Sequence, residues 1–454
     1  MNAKSIDMTT GPVGPQLYQL ARPMMFGILA FMSINVVDTF FVAQLGVAPL
    51  AAMGFSVPLV FCMASLAIGL GAGVTSAVSR KLGAGRREEA SQLIVDGLIL
   101  ALLVSLVVTV IGLLFMDQLF VLLGAEGETL ELIGDYMVPW FIGSPLIILP
   151  MVLTAVMRAA GNSSLAGRVM VMSSLFNLIL DPLLIFGLLG FPRLELMGAA
   201  IASIIARLLT MMMMFRALRD LLSGMGRLNS FDGMLKSWKE LLRVGLPAVG
   251  TNLIIPVSSL VVVYLVAQYG EKAVAGMGVA SRVEPIALVV FYALSSIVGP
   301  FCGHNLGAGN FNRIEQALSA ILRFGIVSGL VLAVVFWFFG YWIAGWFTED
   351  QAALAVAVSY LSIVPFSYGC YGLVMCLNAG FNGIGVPIPG MVISFLRVIG
   401  LYLPLALVLQ LVAGYSGLFI ATALVNVVVA TIGWYWFKRR LNDFKQQSAT
   451  SNEA

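Results

Sequence analysis

Leu82-Gly83-Ala84-Gly85 returns 224 residues later as Leu306-Gly307-Ala308-Gly309. The same displacement carries Pro23 onto Pro247 and Val42-Ala43-Gln44 onto Val266-Ala267-Gln268. It also carries Gly46 onto Gly270, and Ala51, Met53 and Gly54 onto Ala275, Met277 and Gly278. Further along the displacement shortens slightly: Ala159 and Asn162 match Ala379 and Asn382, and Gly198 and Ala202 match Gly417 and Ala421. One unit is therefore written twice in the same direction. In membranes, parallel repeats of this kind are a transporter architecture.

The chain of 454 residues is 60% hydrophobic and only 10% charged, with a mean hydropathy of +0.99. Soluble domains carry about 25% charged residues, so the chain reads as an integral membrane protein. A span needs about 20 apolar residues. Charges, prolines and glycines punctuate twelve of them: 17–44, 50–79, 94–116, 133–157, 166–189, 197–218, 241–268, 275–303, 316–342, 354–378, 388–411 and 416–437. The expected fold is all-α, with twelve transmembrane helices in two pseudo-symmetric six-helix lobes. The lobes are residues 15–220 and 241–440, joined by a basic loop at 221–240. Residues 1–14 are polar and carry no signal-peptide pattern. Lysine and arginine crowd the loops after even-numbered spans (Arg80, Lys81, Arg86, Arg87, Arg219, Arg227, Lys236, Arg313) and follow the last span. The positive-inside rule then places both termini in the cytoplasm.

Asp38 is the sole charge between Pro23 and Ser79, and Asp181 the sole charge between Val169 and Pro192. A charge in mid-membrane costs at least about 2.5–3.5 kcal/mol, so each marks function. Asn177 and Asp181 are four apart and share a helix face. Pro182 predicts a kink beside them. At the repeat displacement Asp38 pairs with Val262, Asp181 with Leu401 and Asn177 with Arg397. A scaffold requirement would appear in both halves; these acids appear in one. Two carboxylates brought together in a dry cavity cannot both stay ionised cheaply, which points to reversible uptake of a cation.

The chain resembles the multidrug and toxic compound extrusion (MATE) transporters of the MOP superfamily over nearly its whole length. The resemblance lies in the twelve spans, the paired Leu-Gly-Ala-Gly turns, Arg158-Ala159-Ala160-Gly161, and Gly198-Ala199-Ala200-Ile201-Ala202-Ser203. An aspartate in the first span and Asn-x-x-x-Asp in the fifth resemble the DinF-like branch. That resemblance implies a coupling proton or sodium ion at Asp38, Asn177 and Asp181, with Ser203 where the branch often has threonine. The NorM-like branch uses acids in spans seven and ten, and here those spans have none.

Asn35, Arg282, Glu284 and Arg397 are the candidates for a substrate cavity or a charge network. Asp96 reads as interfacial. Gly69-Leu70-Gly71-Ala72-Gly73 lies inside an apolar helix with no strand before it, so close packing explains it better than a nucleotide loop. No ATPase motif is present, so transport must draw on an ion gradient. The expected activity is antiport of amphipathic organic cations against protons or sodium, by a functional monomer in a bacterial inner membrane. Its only other partner is membrane lipid; it takes no cofactor and no nucleic acid. A flippase for lipid-linked or polysaccharide precursors is the alternative, and it calls for more basic residues in the membrane than Arg207, Arg282 and Arg397. A membrane-embedded enzyme would need clustered acids or histidines, and the chain has one histidine, His304.

Overall fold

The computed structural model describes residues 6–224 and 233–453. Residues 225–232 of the 221–240 loop, Arg227 among them, lie outside the described residues. The helices in order are α1 (Val13–Ala43), α2 (Val47–Gly83), α3 (Arg87–Leu122), α4 (Glu128–Ile142), α5 (Ser144–Ala159), α6 (Ser163–Phe186), α7 (Glu195–Ser223) and α8 (Met234–Ala267). There follow α9 (Glu271–Ala287), α10 (Val289–Gly307), α11 (Phe311–Gly345), α12 (Gln351–Ile363), α13 (Tyr368–Gly383), α14 (Ile388–Phe395), α15 (Leu403–Ala413) and α16 (Tyr415–Glu453). Among the described residues there are 11 apolar spans long enough to cross a membrane, and 12 when α4 and α5 count as one bent span. All twelve expected spans fall on them, and the protein is an all-helical membrane protein.

Several spans are less regular than expected. The fourth breaks at Gly143, where α4 and α5 meet at 49°. Pro139 removes a backbone donor one turn earlier. A Cβ on Gly143 would lie 2.9 Å from the Pro139 carbonyl oxygen and 2.7 Å from Ile204 Cδ1, so the bend needs glycine. Carbonyls freed in a membrane must find donors. The Thr109 hydroxyl takes the Phe141 carbonyl at 2.7 Å, and the Ser144 hydroxyl donates to the Ser105 carbonyl at 2.8 Å. Span eight divides after Pro285, and span ten passes through a 3₁₀ turn at Val364–Ser367 that contains Pro365. By contrast, α6 runs on through Pro182, so the predicted kink does not interrupt it.

The repeat is visible in local geometry. Gly85 and Gly309 end matching turns with φ of +75° and +71°, and Gly46 and Gly270 precede helices with φ of +121° and +96°. A Cβ on Gly198 would sit 2.5 Å from the Leu184 carbonyl oxygen, and one on Gly417 2.3 Å from that of Leu409.

The chain forms two compact units. The first comprises Arg22–Val249 with Ile6; the second comprises Asp7–Ala21 and the residues from Gly250 onward. In the first, α2 meets the start of α8 through Gly69 and Gly73, whose Cβ atoms would strike the Val249 amide at 2.7 Å and the Leu241 carbonyl at 2.4 Å. The glycine run is thus a packing surface. Asp96 is buried in the protein: Gln92 Nε2 donates to its carboxylate at 2.8 Å and Trp238 Nε1 to its carbonyl at 2.9 Å. In the second unit, residues 7–16 lie on α10 and α11. Asn305 Nδ2 donates to the Met8 carbonyl at 2.9 Å, and Arg313 Nη2 to the Thr10 carbonyl at 3.0 Å. Hydrogen bonds from the Thr9 hydroxyl and amide hold the Asp7 carboxyl below its usual range.

One crossing in the first unit positions the membrane acids. A Cβ on Gly167 of α6 would fall 2.2 Å from the Pro23 carbonyl oxygen, and one on Gly27 of α1 2.9 Å from that of Gly167. Backbone meets backbone, so α1 and α6 are as close as helices come. Gly167→Leu should force them apart and cost about 1–3 kcal/mol in overpacking. Thermal unfolding of the purified variant checks it; an unchanged midpoint would show that the crossing tolerates bulk.

Candidate functional site

The first unit gathers four helices around Asp38 of α1. Asparagine 162 caps α6 by accepting from the Leu165 amide at 3.0 Å, and Gly187 ends that helix in the left-handed region. The chain then turns tightly: the Leu194 amide donates to the Leu184 carbonyl at 2.9 Å. With Gly198 pressed on Leu184, α7 lies flat along α6 and brings Ser203 beside Asn177.

The result is a connected polar cluster in an apolar bundle. Asn177 Nδ2 donates to Asp181 Oδ1 at 3.3 Å and to Ser203 Oγ at 3.1 Å. Asp181 is fully buried, at 0% exposure. The Asp38 and Asp181 carboxyls stand within hydrogen-bonding reach of each other. Each leaves one buried oxygen, Asp38 Oδ1 and Asp181 Oδ2, with no donor. The cluster holds more lone pairs than protons to fill them, and a proton or a small cation between the two carboxyls would balance it.

Three neighbours complete the cluster, and the sequence reading assigned none of them to the ion site. The Arg207 guanidinium of α7 lies over the Trp140 ring of α4 at 5.2 Å, within Coulombic reach of Asp38. Tyr136, one turn from Trp140, is also within electrostatic reach of both acids. Arg207 carried a legible signal, being a charge within an apolar span; the two aromatics carried none.

The other candidates divide. Asn35 is exposed, and its amide donates to the Phe31 carbonyl at 2.7 Å, so it stands apart from the cluster. In the second unit, Glu284 of α9 accepts from the Tyr360 hydroxyl of α12 at 2.5 Å. Arg397 lies within Coulombic reach of Glu284 and stacks over Tyr371 at 4.5 Å. Arg282 is exposed. Back in the first unit, the face of α4 bearing Asp135, Val138 and Ile142 forms, with Met197, Ile201 and Ile204 of α7, a largely apolar cavity of about 540 Å³.

The MatE family model matches residues 23–183 and again residues 247–408, one match in each half of the repeat. The FAD transporter of Shewanella oneidensis is 34% identical over 97% of this chain and 98% of its own. The probable multidrug resistance protein YoeA of Bacillus subtilis is 28% identical over 81% of this chain and 80% of its own. The crystal structure of the MATE transporter VcmN of Vibrio cholerae in its bent form superposes with a TM-score of 0.90 at 31% identity, covering 96% of this chain and 98% of that one. Two family matches in register with the internal repeat, and likeness end to end to such proteins, make this chain a member of the MATE family of membrane efflux transporters.

Proposed function

We propose that the protein is a secondary antiporter of the DinF-like kind, exporting amphipathic organic cations in exchange for protons or sodium ions. The observation that carries this reading is the Asp38–Asp181 pair with its two donorless oxygens. Uptake of a proton from outside removes one of the pair's two negative charges. Sodium would find four oxygen-bearing groups, the two carboxylates, Asn177 and Ser203, which is the ligand chemistry a hard cation prefers. In either case the incoming ion offsets an expensive intramembrane charge, the helices around it repack, and that repacking loosens the hold on the cargo. The apolar cavity with its single carboxylate, Asp135, suits a lipophilic monovalent cation as well.

Proteoliposomes with independently imposed proton and sodium gradients test the proposal. An ethidium-like dye should move only when one of those gradients opposes it. Dye movement that ignores both gradients would end the antiport reading.

Export of a flavin dinucleotide is a second reading. It is favoured by the likeness to the FAD transporter and by the guanidinium stacked on Trp140, a pairing that suits a flat ring with an anionic tail. Flavin appearing in the medium of overexpressing cells, with dye retention unchanged, would select it.

The orientation belongs to the same proposal: both termini in the cytoplasm of a bacterial inner membrane, with the turn at Arg86–Arg87 inside and Glu128 outside. In a cysteine-free background, Glu128→Cys should react with an impermeant maleimide in intact cells, and Arg87→Cys should react only after permeabilisation. The reverse pattern would invert the topology.

A further inference from the structure

The second unit holds charges that the ion site does not use. Arg397 is the only charged residue from 351 to 437 and lies in a π-helical turn, Leu396–Tyr402. Such turns are frequent at functional sites. Glu284 is within Coulombic reach of Arg397, yet neither joins any ion pair among the described residues. An acid and a base in one apolar bundle would ordinarily neutralise each other by touching. Here Glu284 is held by the Tyr360 hydroxyl at 2.5 Å, and the face of the Arg397 guanidinium by the Tyr371 ring at 4.5 Å. Tyr292 and Tyr368 complete the neighbourhood. The Tyr368 hydroxyl, at 0% exposure, stands near Tyr360 without a hydrogen bond of good geometry.

A guanidinium stacked by its face keeps the donors along its edge, which match the oxygens of a phosphate or carboxylate. A carboxylate that accepts one phenolic hydrogen bond keeps acceptor capacity for an N–H group. Tyrosine rings favour a flat aromatic guest; Tyr360 is packed edge-on against Phe419, and the half-buried Tyr371, with Arg397 on one face, is the ring left to meet one. We infer that Glu284, Tyr360, Tyr371 and Arg397 form a cargo subsite for a planar heteroaromatic ring carrying an anionic group, with the anion at Arg397 and a ring N–H edge at Glu284. The word cargo rests on the second reading above, export of a flavin dinucleotide; the binding chemistry stands apart from it. The subsite is opposite in charge preference to the Asp38 cluster.

Riboflavin and FMN test this directly, since they share a ring and differ by one phosphate. Binding is read from flavin fluorescence anisotropy on the full chain in phosphatidylcholine nanodiscs with no gradient. Wild type should prefer FMN by about tenfold, which is about 1.4 kcal/mol. Arg397→Gln should bring the ratio close to one while riboflavin affinity stays within about threefold, because only the charge-assisted contact is lost. Tyr371→Leu, which removes the ring beneath the guanidinium, should reduce the ratio too and serves if Arg397→Gln is not monodisperse. Equal binding of both flavins by wild type, a preference that survives Arg397→Gln, or an equal loss for both flavins would overturn the assignment. Failure of the exporter reading would show instead as absent gradient-driven transport by wild type, with the flavin ratio unaffected.

Discussion

Asp38→Asn should abolish gradient-driven export while leaving a folded protein that still binds dye. Asparagine has the volume of aspartate but cannot exchange a proton and offers a sodium ion only a neutral oxygen. Its amide would also give Asp181 Oδ2 the donor it lacks, so the cluster becomes permanently satisfied. An ion shifts a conformational equilibrium only by its differential affinity for the two states. With the titrating group removed, that difference vanishes and the cycle has nothing to drive it. Transport in proteoliposomes should fall to the level of protein-free vesicles, while dye affinity changes by less than about threefold, well under the tenfold that 1.4 kcal/mol represents. The unfolding midpoint should hold or rise. Export at the wild-type rate with the same ion dependence would remove Asp38 from the mechanism.

The sequence carried the parts of the fold that depend on periodicity and exclusion. Twelve spans followed from the cost of charge in lipid, and the repeat from identities such as Leu82–Gly85 with Leu306–Gly309. Asp38, Asn177 and Asp181 stood out because a polar residue surrounded by apolar ones needs a reason. What stayed hidden was whatever depends on side chains meeting from different helices. Tyr136 and Trp140 look like ordinary aromatics until α4 is laid against α7, and Tyr360 is unremarkable until its hydroxyl is found on Glu284. The break at Gly143 was also obscure, because Pro139 and Gly143 announce a bend only when Ile204 is known to fill the space a Cβ would need.

The asymmetry between the halves has a physical consequence for the ion site. In the second unit one membrane acid is hydrogen-bonded by a tyrosine and has a base nearby, whereas in the first, two acids face one base, Arg207. In the first, Asp181 has one donor only, and that donor is an amide it shares with a hydroxyl. Asn177 is therefore the pivot on which the charge state of the pair depends.

Replacing Asn177 should accordingly have the second-largest effect on transport. Asn177→Leu keeps the size of the side chain and removes both hydrogen bonds at once. Asp181 would then hold two oxygens without a donor at 0% exposure, and Ser203 would lose its link to α6. An unsatisfied buried group costs about 1–3 kcal/mol, more when charged. The ionised form of the pair bears that cost and the neutral form bears far less, so the variant should rest in the neutral state and release its ion to the cytoplasm poorly. Export should drop by at least about tenfold, the rate equivalent of about 1.4 kcal/mol. Ser203→Ala removes an acceptor from the Asn177 amide but leaves its bond to Asp181, so it should cost less than about threefold under a proton gradient. Under sodium coupling Ser203 is a ligand rather than a bystander, and its loss should raise the sodium concentration needed for half-maximal export. The order of the two variants is the decisive comparison, measured as initial dye efflux from proteoliposomes at equal protein. If Ser203→Ala were as damaging as Asn177→Leu under a proton gradient, the hydrogen bond from Asn177 to Asp181 would not control the pair.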